Sequence, residues 1–184
     1  MRALEAERTL AEWDCRSRRI FTKSDLRRLF PDDKDKAFSE GLRRLVTAGV
    51  VTRPAKGVYL NARSRQPRTH LLEEIAVCLR RGEYNYISLE SALSEHGAIS
   101  QIPVDRITVM TTGRKGEFRT PYGTIEFTHT DRKPSDILDS SEEVGRPLRL
   151  ASPESAFRDL KRVGRNVHLV DEEALSDIID DWND

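Results

Sequence analysis

The stretch from Lys36 to Leu60 constrains the fold more than any other part of this 184-residue chain. Apolar residues recur at spacings of three and four, which predicts an amphipathic helix from about Lys34 to Ala48. Gly49 follows and is a favourable residue for ending a helix. Val50–Thr52 and Gly57–Leu60 then read as two short strands joined by a tight turn. A helix followed by such a hairpin is typical of a winged helix-turn-helix.

Two shorter helical patterns precede this stretch. Ala3–Trp13 is a plausible amphipathic helix. Thr22, with Asp25 three residues later, resembles a capping box that starts a second helix, and Pro31 ends it because proline cannot continue the hydrogen-bond ladder. Three helices and a two-stranded wing therefore predict a winged helix-turn-helix domain over residues 1–62.

Basic and hydroxyl side chains gather on the side of this domain that does not form its core. At about 100° per residue, Lys36 and Arg43 lie opposite the apolar face of the third helix. Lys and Arg suit phosphates, and Arg, Lys and Ser can read base edges in the major groove. The alternative is a solvated basic face on a domain that binds only protein. The candidate DNA-binding residues are Thr22, Lys23, Arg27, Arg28, Lys34, Lys36, Ser39, Arg43, Arg44, Arg53 and Lys56.

The formal net charge of zero hides an asymmetry along the chain. Residues 1–70 contain 17 Lys and Arg against 9 Asp and Glu, whereas residues 71–184 contain 14 against 22. Such a split favours two functional halves, the first of which suits a polyanion. Segregation of charge by chance is the other interpretation.

The second half reads as a small α+β domain. Residues 63–69 are polar and lack periodicity, which indicates a linker that is either solvated or in contact with a DNA backbone. Over residues 70–170, helical patterns alternate with short strands, including a hairpin around Pro121–Gly123 and a helix capped by Ser152. The expected fold class is α+β, with a mostly antiparallel sheet in this half.

The acidic segment 171–184 has a helical stripe of apolar residues, and three interpretations remain open for it. It is a terminal helix packed on the second domain, a helix that binds a partner, or an intramolecular DNA mimic. The candidate partner-binding residues are Leu175, Ile178, Ile179 and Trp182.

No arrangement typical of an enzyme stands out. The four histidines lie singly and lack metal-ligand spacing, and no phosphate-binding loop or nucleophile elbow is present. Glu117 and Glu126, expected on neighbouring strands, would be the carboxylate pair of a nuclease, but surface carboxylates on strands are far commoner. We therefore expect no enzymatic activity, no metal and no cofactor.

Composition places the chain among cytoplasmic proteins. No apolar run approaches the roughly 18 residues that a membrane helix needs, and the first residues lack the apolar stretch of a secretory signal. Two cysteines form neither a disulfide framework nor a zinc site.

The second half resembles the AbiEi family of bacterial antitoxins. The similarity is carried by YISLESALSEHGAISQIPVDRITVMTT, followed by YGTIEFTHT and RLASPESAFRDL. The family pattern combines a Ser-Leu-Glu-Ser-Ala-Leu helix with a step from Gly97 to Gln101 and Pro103. Family members also begin with a winged helix like residues 1–60, so the resemblance covers most of the chain.

The resemblance implies an antitoxin of a toxin–antitoxin, or abortive-infection, system that acts in phage defence. It implies that the N-terminal domain binds inverted repeats in its own promoter and represses transcription, which would suit a homodimer on DNA. It implies that the C-terminal domain antagonises a co-encoded nucleotidyltransferase-like toxin, in some members without stable contact. A module that neutralises a toxin by direct binding and a stand-alone transcriptional regulator are the alternatives.

Overall fold

The computed structural model describes residues 2–100 and 105–183, and within them the chain forms two compact units that divide between Leu79 and Arg80. Both units contain helices and a sheet, so the predicted α+β class is confirmed. Gln101 and Pro103, which belong to the resemblance, lie outside the described residues.

The first unit has the element order predicted for a winged helix-turn-helix. A third strand, β1, joins the two wing strands in an antiparallel sheet of order β1-β3-β2. Its elements are α1 (Ala3–Asp14), β1 (Ile20–Thr22), α2 (Lys23–Leu29), α3 (Asp35–Thr47), β2 (Val51–Ala55), β3 (Val58–Asn61) and α4 (Leu71–Leu79).

The core of this unit follows from the apolar spacing. The buried cluster consists of Ala6, Leu10, Phe21, Leu26, Phe30, Phe38, Leu42, Leu45, Val50, Val51 and Tyr59. Gly49 ends α3 with a φ of +68°, a conformation that favours glycine. The Gly49 amide donates to Val46 O at 3.1 Å and the Val50 amide to Leu45 O at 3.0 Å, the two bonds of a Schellman motif.

Segment 63–69 and α4 belong to the first unit, so the predicted linker and domain boundary need correction. The carboxylate of Asp14, at the end of α1, accepts hydrogen bonds from the Ser64 hydroxyl at 2.6 Å and from the side-chain amide of Gln66 at 2.9 Å. Arg19 is 3% exposed and its Nε donates to Glu74 of α4 at 2.9 Å. The segment therefore has specific partners on α1, which its polar composition did not reveal.

The second unit contains a six-stranded sheet of order β6-β7-β5-β4-β9-β8. Three of the five strand pairs are antiparallel, whereas β4 with β9 and β5 with β7 are parallel. The predicted hairpin is present, with Thr120 opposite Gly123. The elements are β4 (Asn85–Ile87), α5 (Leu89–Glu95), β5 (Arg106–Thr111), β6 (Gly116–Thr120), β7 (Gly123–His129), α6 (Pro134–Asp139), β8 (Ser141–Glu142), β9 (Arg149–Ala151), α7 (Pro153–Val163) and α8 (Glu172–Asn183).

A buried polar network joins β4 to α7. Asp159, which is fully buried, accepts hydrogen bonds from the Ser88 hydroxyl at 2.9 Å, from Tyr86 at 3.2 Å and from Arg132 at 2.5 Å. Burial raises the pKa of Tyr86, which keeps its hydroxyl a donor. Ser88 occupies the N-cap position of α5, but its side chain makes no cap hydrogen bond because its hydroxyl donates to Asp159 instead. Ser152 does cap α7, as predicted, by accepting from the Ser155 amide at 3.2 Å.

Candidate nucleic-acid interface

The α2 N-terminus is fixed by the predicted capping box. The Thr22 hydroxyl accepts from the Asp25 amide at 3.0 Å, and the Asp25 carboxylate accepts from the Thr22 amide at 2.8 Å. The oxygen of Thr22 is therefore already occupied, and only its hydroxyl hydrogen remains for a phosphate. The cap holds the rest of α2 in place as a rigid support for its exposed cations.

The outer face of α3 presents most of the predicted groups to solvent. Lys36, Ser39 and Arg44 are exposed while Phe38, Leu42 and Leu45 on the other face are buried. Lys36 and Arg44 form no ion pair within residues 2–100 and 105–183. Lys34 is exposed at the N-cap position, where its side chain makes no cap hydrogen bond. Lys36 and Arg44 therefore carry charge that no acid of the described chain neutralises.

Arg43 has a partner on its own helix. Its guanidinium lies 3.1 Å from the Glu40 carboxylate, and the two side chains are 72% and 51% exposed. Exposed pairs three residues apart contribute little and exchange readily. Arg43 can therefore leave Glu40 for a phosphate or a base edge, but Glu40 lowers the net charge of this face.

Arg27, a predicted DNA contact, also holds the turn between α2 and α3 together. Its Nη1 donates to Phe30 O at 2.7 Å and to Pro31 O at 3.2 Å, and its Nε donates to Asp35 at 3.3 Å. The guanidinium carbon also lies 5.6 Å from the centroid of Phe38. These contacts commit its donors to the turn between α2 and α3.

Lys23, Arg28 and Ser39, three of the predicted DNA contacts, lie together at the junction of α2 and α3. The Lys23 ammonium lies 3.4 Å from the Ser39 hydroxyl, and Arg28 is exposed. The three side chains line one shallow groove, together with Ser24, Arg27, Asp35 and Phe38. Hydroxyls and cations in one groove suit a phosphate backbone.

A bulge in the wing shapes the position of Arg53. Thr52 pairs with Leu60 and Ala55 with Val58, so Arg53 and Pro54 together face a single residue of β3. Proline tolerates such a position because it has no amide hydrogen to donate. Arg53 is exposed at the bulge, and Lys56 is exposed beside Gly57, whose φ is +82°.

The wing tip and α2 are directly connected. The Lys23 amide donates to Gly57 O at 3.1 Å. Because Lys23 also reaches Ser39, the wing, the start of α2 and the middle of α3 form one continuous basic face. We define this basic face by Lys23, Arg28, Lys36, Ser39, Arg43, Arg44, Arg53 and Lys56.

Two further cations beside the basic face were missed in the sequence. The guanidinium carbons of Arg16 and Arg18 lie 5.3 and 5.4 Å from the centroid of Trp13, and Arg18 also lies 2.9 Å from Asp25 at the start of α2. Arg16 is exposed and has no ion-pair partner in the described part of the chain. The sequence does contain a pattern that indicates these contacts, because Arg16, Arg18 and Arg19 follow Trp13 closely and guanidinium groups stack on indole.

The apolar stripe of α8, which holds the predicted partner-binding residues, is partly packed against the second unit. Leu175 is 3% exposed, and Ile178 and Ile179 are half-buried. The ring of Trp182 packs edge-on against that of His96, with 5.1 Å between the ring centroids. The Asp171 amide donates to Ala98 O at 3.0 Å. The tail is therefore the terminal helix of the second unit, and only Leu175 of its apolar stripe is fully buried.

Glu117 and Glu126 are opposite each other on β6 and β7, as the hairpin predicted, but both bind a cation. Nη1 of Arg106 lies 3.1 Å from Glu117 and 2.8 Å from Glu126. Hydrogen bonds from Arg119 and Arg106 lower the pKa of Glu117. No group of three metal-ligating side chains occurs within the described ranges.

Comparisons with known proteins give little beyond this geometry. No protein-family model and no curated protein matches the sequence significantly. A crystal structure of the RV2827C protein from Mycobacterium tuberculosis is similar at 16% identity with a TM-score of 0.48, over 96% of this chain and 71% of that one. Separately, no helix in residues 2–100 and 105–183 is both long and apolar enough to cross a membrane.

Proposed function

We propose that the chain binds duplex DNA through its basic face and is an antitoxin that represses its own operon. The main support for DNA binding is the amphipathic character of α3. This helix buries Phe38, Leu42 and Leu45. It exposes Lys36, Ser39 and Arg44 beside a basic wing. A helix of about 10–12 Å diameter fits the major groove. The wing cations Arg53 and Lys56 then reach the flanking backbone.

The antitoxin part of the proposal rests on the resemblance of the second half to the AbiEi family. By that resemblance, the second unit antagonises a co-encoded nucleotidyltransferase-like toxin, and the protein acts in the cytoplasm where its operator lies. The packing of α8 favours an antagonism that does not use the apolar stripe of the tail.

The proposal is tested by titrating the protein against the duplex upstream of its own gene, at two salt concentrations, with a scrambled duplex as competitor. Binding to the upstream duplex should resist the competitor. Affinity for both duplexes should fall steeply with salt, because each phosphate contact releases counterions. Equal, weak binding to both duplexes would contradict an operator-binding role.

A matched pair of variants separates the basic face from charge in general. Lys36→Ala/Arg44→Ala removes two cations from α3, whereas Lys115→Ala/Lys133→Ala removes two exposed cations from the second unit. The first variant should lose at least about tenfold in operator affinity, since a specific arginine contact contributes about 1–3 kcal/mol. Equal losses in both variants would mean that only net charge matters.

Antagonism is tested separately by co-expression with the neighbouring toxin gene. A variant that no longer binds DNA should still protect growth when it is expressed from an independent promoter. Loss of protection together with DNA binding would favour the alternative of a stand-alone regulator that acts only through transcription.

A further inference from the structure

The outer edge of the six-stranded sheet has a regular pattern of unpaired backbone groups. The Thr124 amide donates to Asp105 O at 2.7 Å and the Thr130 amide to Thr111 O at 2.9 Å, so even-numbered residues of β7 bond towards β5. Odd-numbered residues of β7 therefore bond towards β6, where their partners are Gly116, Phe118 and Thr120.

Glu117 and Arg119 consequently direct their backbone N–H and C=O groups away from the sheet. β6 is the end strand of the sheet, and no strand of the described chain pairs with its outer side. Such an edge is a template for a further strand. The free backbone groups of Glu117 and Arg119 lie two residues apart, with Phe118 between them. This spacing determines the register that a partner strand must adopt.

We propose that β6 pairs antiparallel with β6 of a second copy of this chain, about a two-fold axis at Phe118. In this register Glu117 faces Arg119 of the second copy, and Arg119 faces its Glu117. Both are hydrogen-bonded pairs, and each such pair exchanges two backbone hydrogen bonds. The unpaired backbone groups of both strands are thereby satisfied by a single symmetric contact.

The charges on this edge favour a second copy over a like-charged strand. Arg119 is 84% exposed and Glu117 37% exposed, and the two lie on the same face of the sheet. Within one chain, Arg119 Nε lies 3.0 Å from Glu117. Across the axis each carboxylate meets a guanidinium, so the strand is complementary to itself. An edge whose charges all had one sign would repel a second copy instead.

Phe118 supplies the apolar centre of the contact. It occupies the other face of the sheet, half-buried, with its ring centroid 5.7 Å from that of Phe127. At the axis the two Phe118 residues form a non-hydrogen-bonded pair, the type of pair in which side chains approach most closely. Opposite charges on one face and an aromatic pair on the other both favour this register.

Sedimentation velocity on the full chain, from low to high micromolar concentration, tests the proposal. The wild-type protein should show a dimer whose fraction rises with concentration. Arg119→Glu and Glu117→Arg should each self-associate at least about tenfold more weakly, because like charges then face each other. An equimolar mixture should dimerise again, because each Glu of one variant faces an Arg of the other.

A backbone variant makes the test independent of charge. Arg119→Pro removes an amide hydrogen that points away from the sheet and so breaks no bond to β7. It should remove the dimer, whereas Arg119→Ala should only weaken it, with circular dichroism showing that both variants fold. A monomeric wild-type protein, a dimer that survives Arg119→Pro, or folded charge variants that fail to associate when mixed would each overturn the proposal.

Discussion

Both units contain ion-paired arginines, but the first unit also gathers unpaired cations on its basic face. On the first unit, Lys36, Arg44, Arg53 and Lys56 are exposed and form no ion pair in the part of the chain that the structure describes. On the second unit, the ion-paired arginines include Arg106, Arg119, Arg132, Arg146, Arg149 and Arg165. Charge available to a ligand therefore differs between the units more than their amino-acid counts suggest.

Whether an arginine or lysine is available to a ligand depends on its partner within the folded chain. Arg27 and Arg19 lie in the basic half of the sequence, yet both are committed to intramolecular contacts. Arg119, in the acidic half, also has an acid as its partner, Glu117, yet its side chain stays 84% exposed at a sheet edge. A functional assignment based on charge must count the cations that remain unpaired after folding.

The largest effect should come from removing a paired, buried charge from the second unit. Asp159→Ala leaves Arg132 without its carboxylate and leaves the hydroxyls of Ser88 and Tyr86 without their acceptor. Removal of one partner of a buried pair costs about 3–5 kcal/mol. Urea denaturation should show this decrease in the free energy of unfolding.

An exposed ion pair of the same unit provides the control for Asp159→Ala. Glu143 is 84% exposed and lies 3.1 Å from Arg149. Exposed pairs contribute at most about 1 kcal/mol, so Glu143→Ala should leave the unfolding midpoint nearly unchanged. Similar losses for both variants would mean that burial does not distinguish the two pairs.

The next largest effect should come from an unpaired charge of the first unit. Arg44→Ala should leave stability within about 0.5 kcal/mol, because Arg44 is exposed and has no partner that the substitution would strand. It should weaken operator binding by about 1–3 kcal/mol, measured by fluorescence anisotropy. A variant that binds DNA normally but unfolds more easily would reverse the assigned roles.

Much of this fold was predictable because short-range signals determine it. The capping box of Thr22 and Asp25, the Gly49 stop and the spacing of Phe38, Leu42 and Leu45 all specify local structure and agree with the observed elements. The basic face of α3 follows directly, since a helix with one buried face exposes the other.

What sequence could not predict depends on contacts between distant residues. Asp14 meets Ser64 and Gln66 about fifty positions away, which is why a polar segment that resembled a linker is anchored. Ser88 stands where a serine usually caps a helix, but its hydroxyl donates to Asp159, 71 positions later on α7. The parallel pairing of β5 with β7 was likewise invisible, since neither strand encodes the direction of its neighbour.

A smaller effect on DNA affinity should come from freeing Arg43, which is partly paired. Glu40→Gln releases Arg43 from its exposed pair and removes one negative charge from the basic face. Nonspecific DNA affinity should rise by about two- to fivefold, in line with the modest energy of an exposed pair. Glu172→Gln, which removes an exposed acid from the second unit, is the control. Equal gains in both variants would contradict a local effect.

The smallest effect concerns a histidine of the second unit that behaves as a paired cation. The backbone carbonyl of Gly113 lies 2.8 Å from Nδ1 of His129, and Asp131 lies 2.8 Å from Nε2. Only the imidazolium can donate to both acceptors, so these contacts raise the pKa of His129 above its ordinary value.

A pKa raised by folding stabilises the folded state at low pH. This contribution is fully present below the unfolded-state pKa, near 6.5, and is lost as the pH rises through the folded-state value. An NMR titration of the imidazole should show the raised pKa. Asp131→Asn should lower it while Gly113 still holds it above the ordinary value, because the backbone bond is the larger cause. A wild-type pKa at or below the ordinary value would show that water replaces the hydrogen bonds to Gly113 and Asp131. His129 would then differ from the arginines of its unit that are ion-paired.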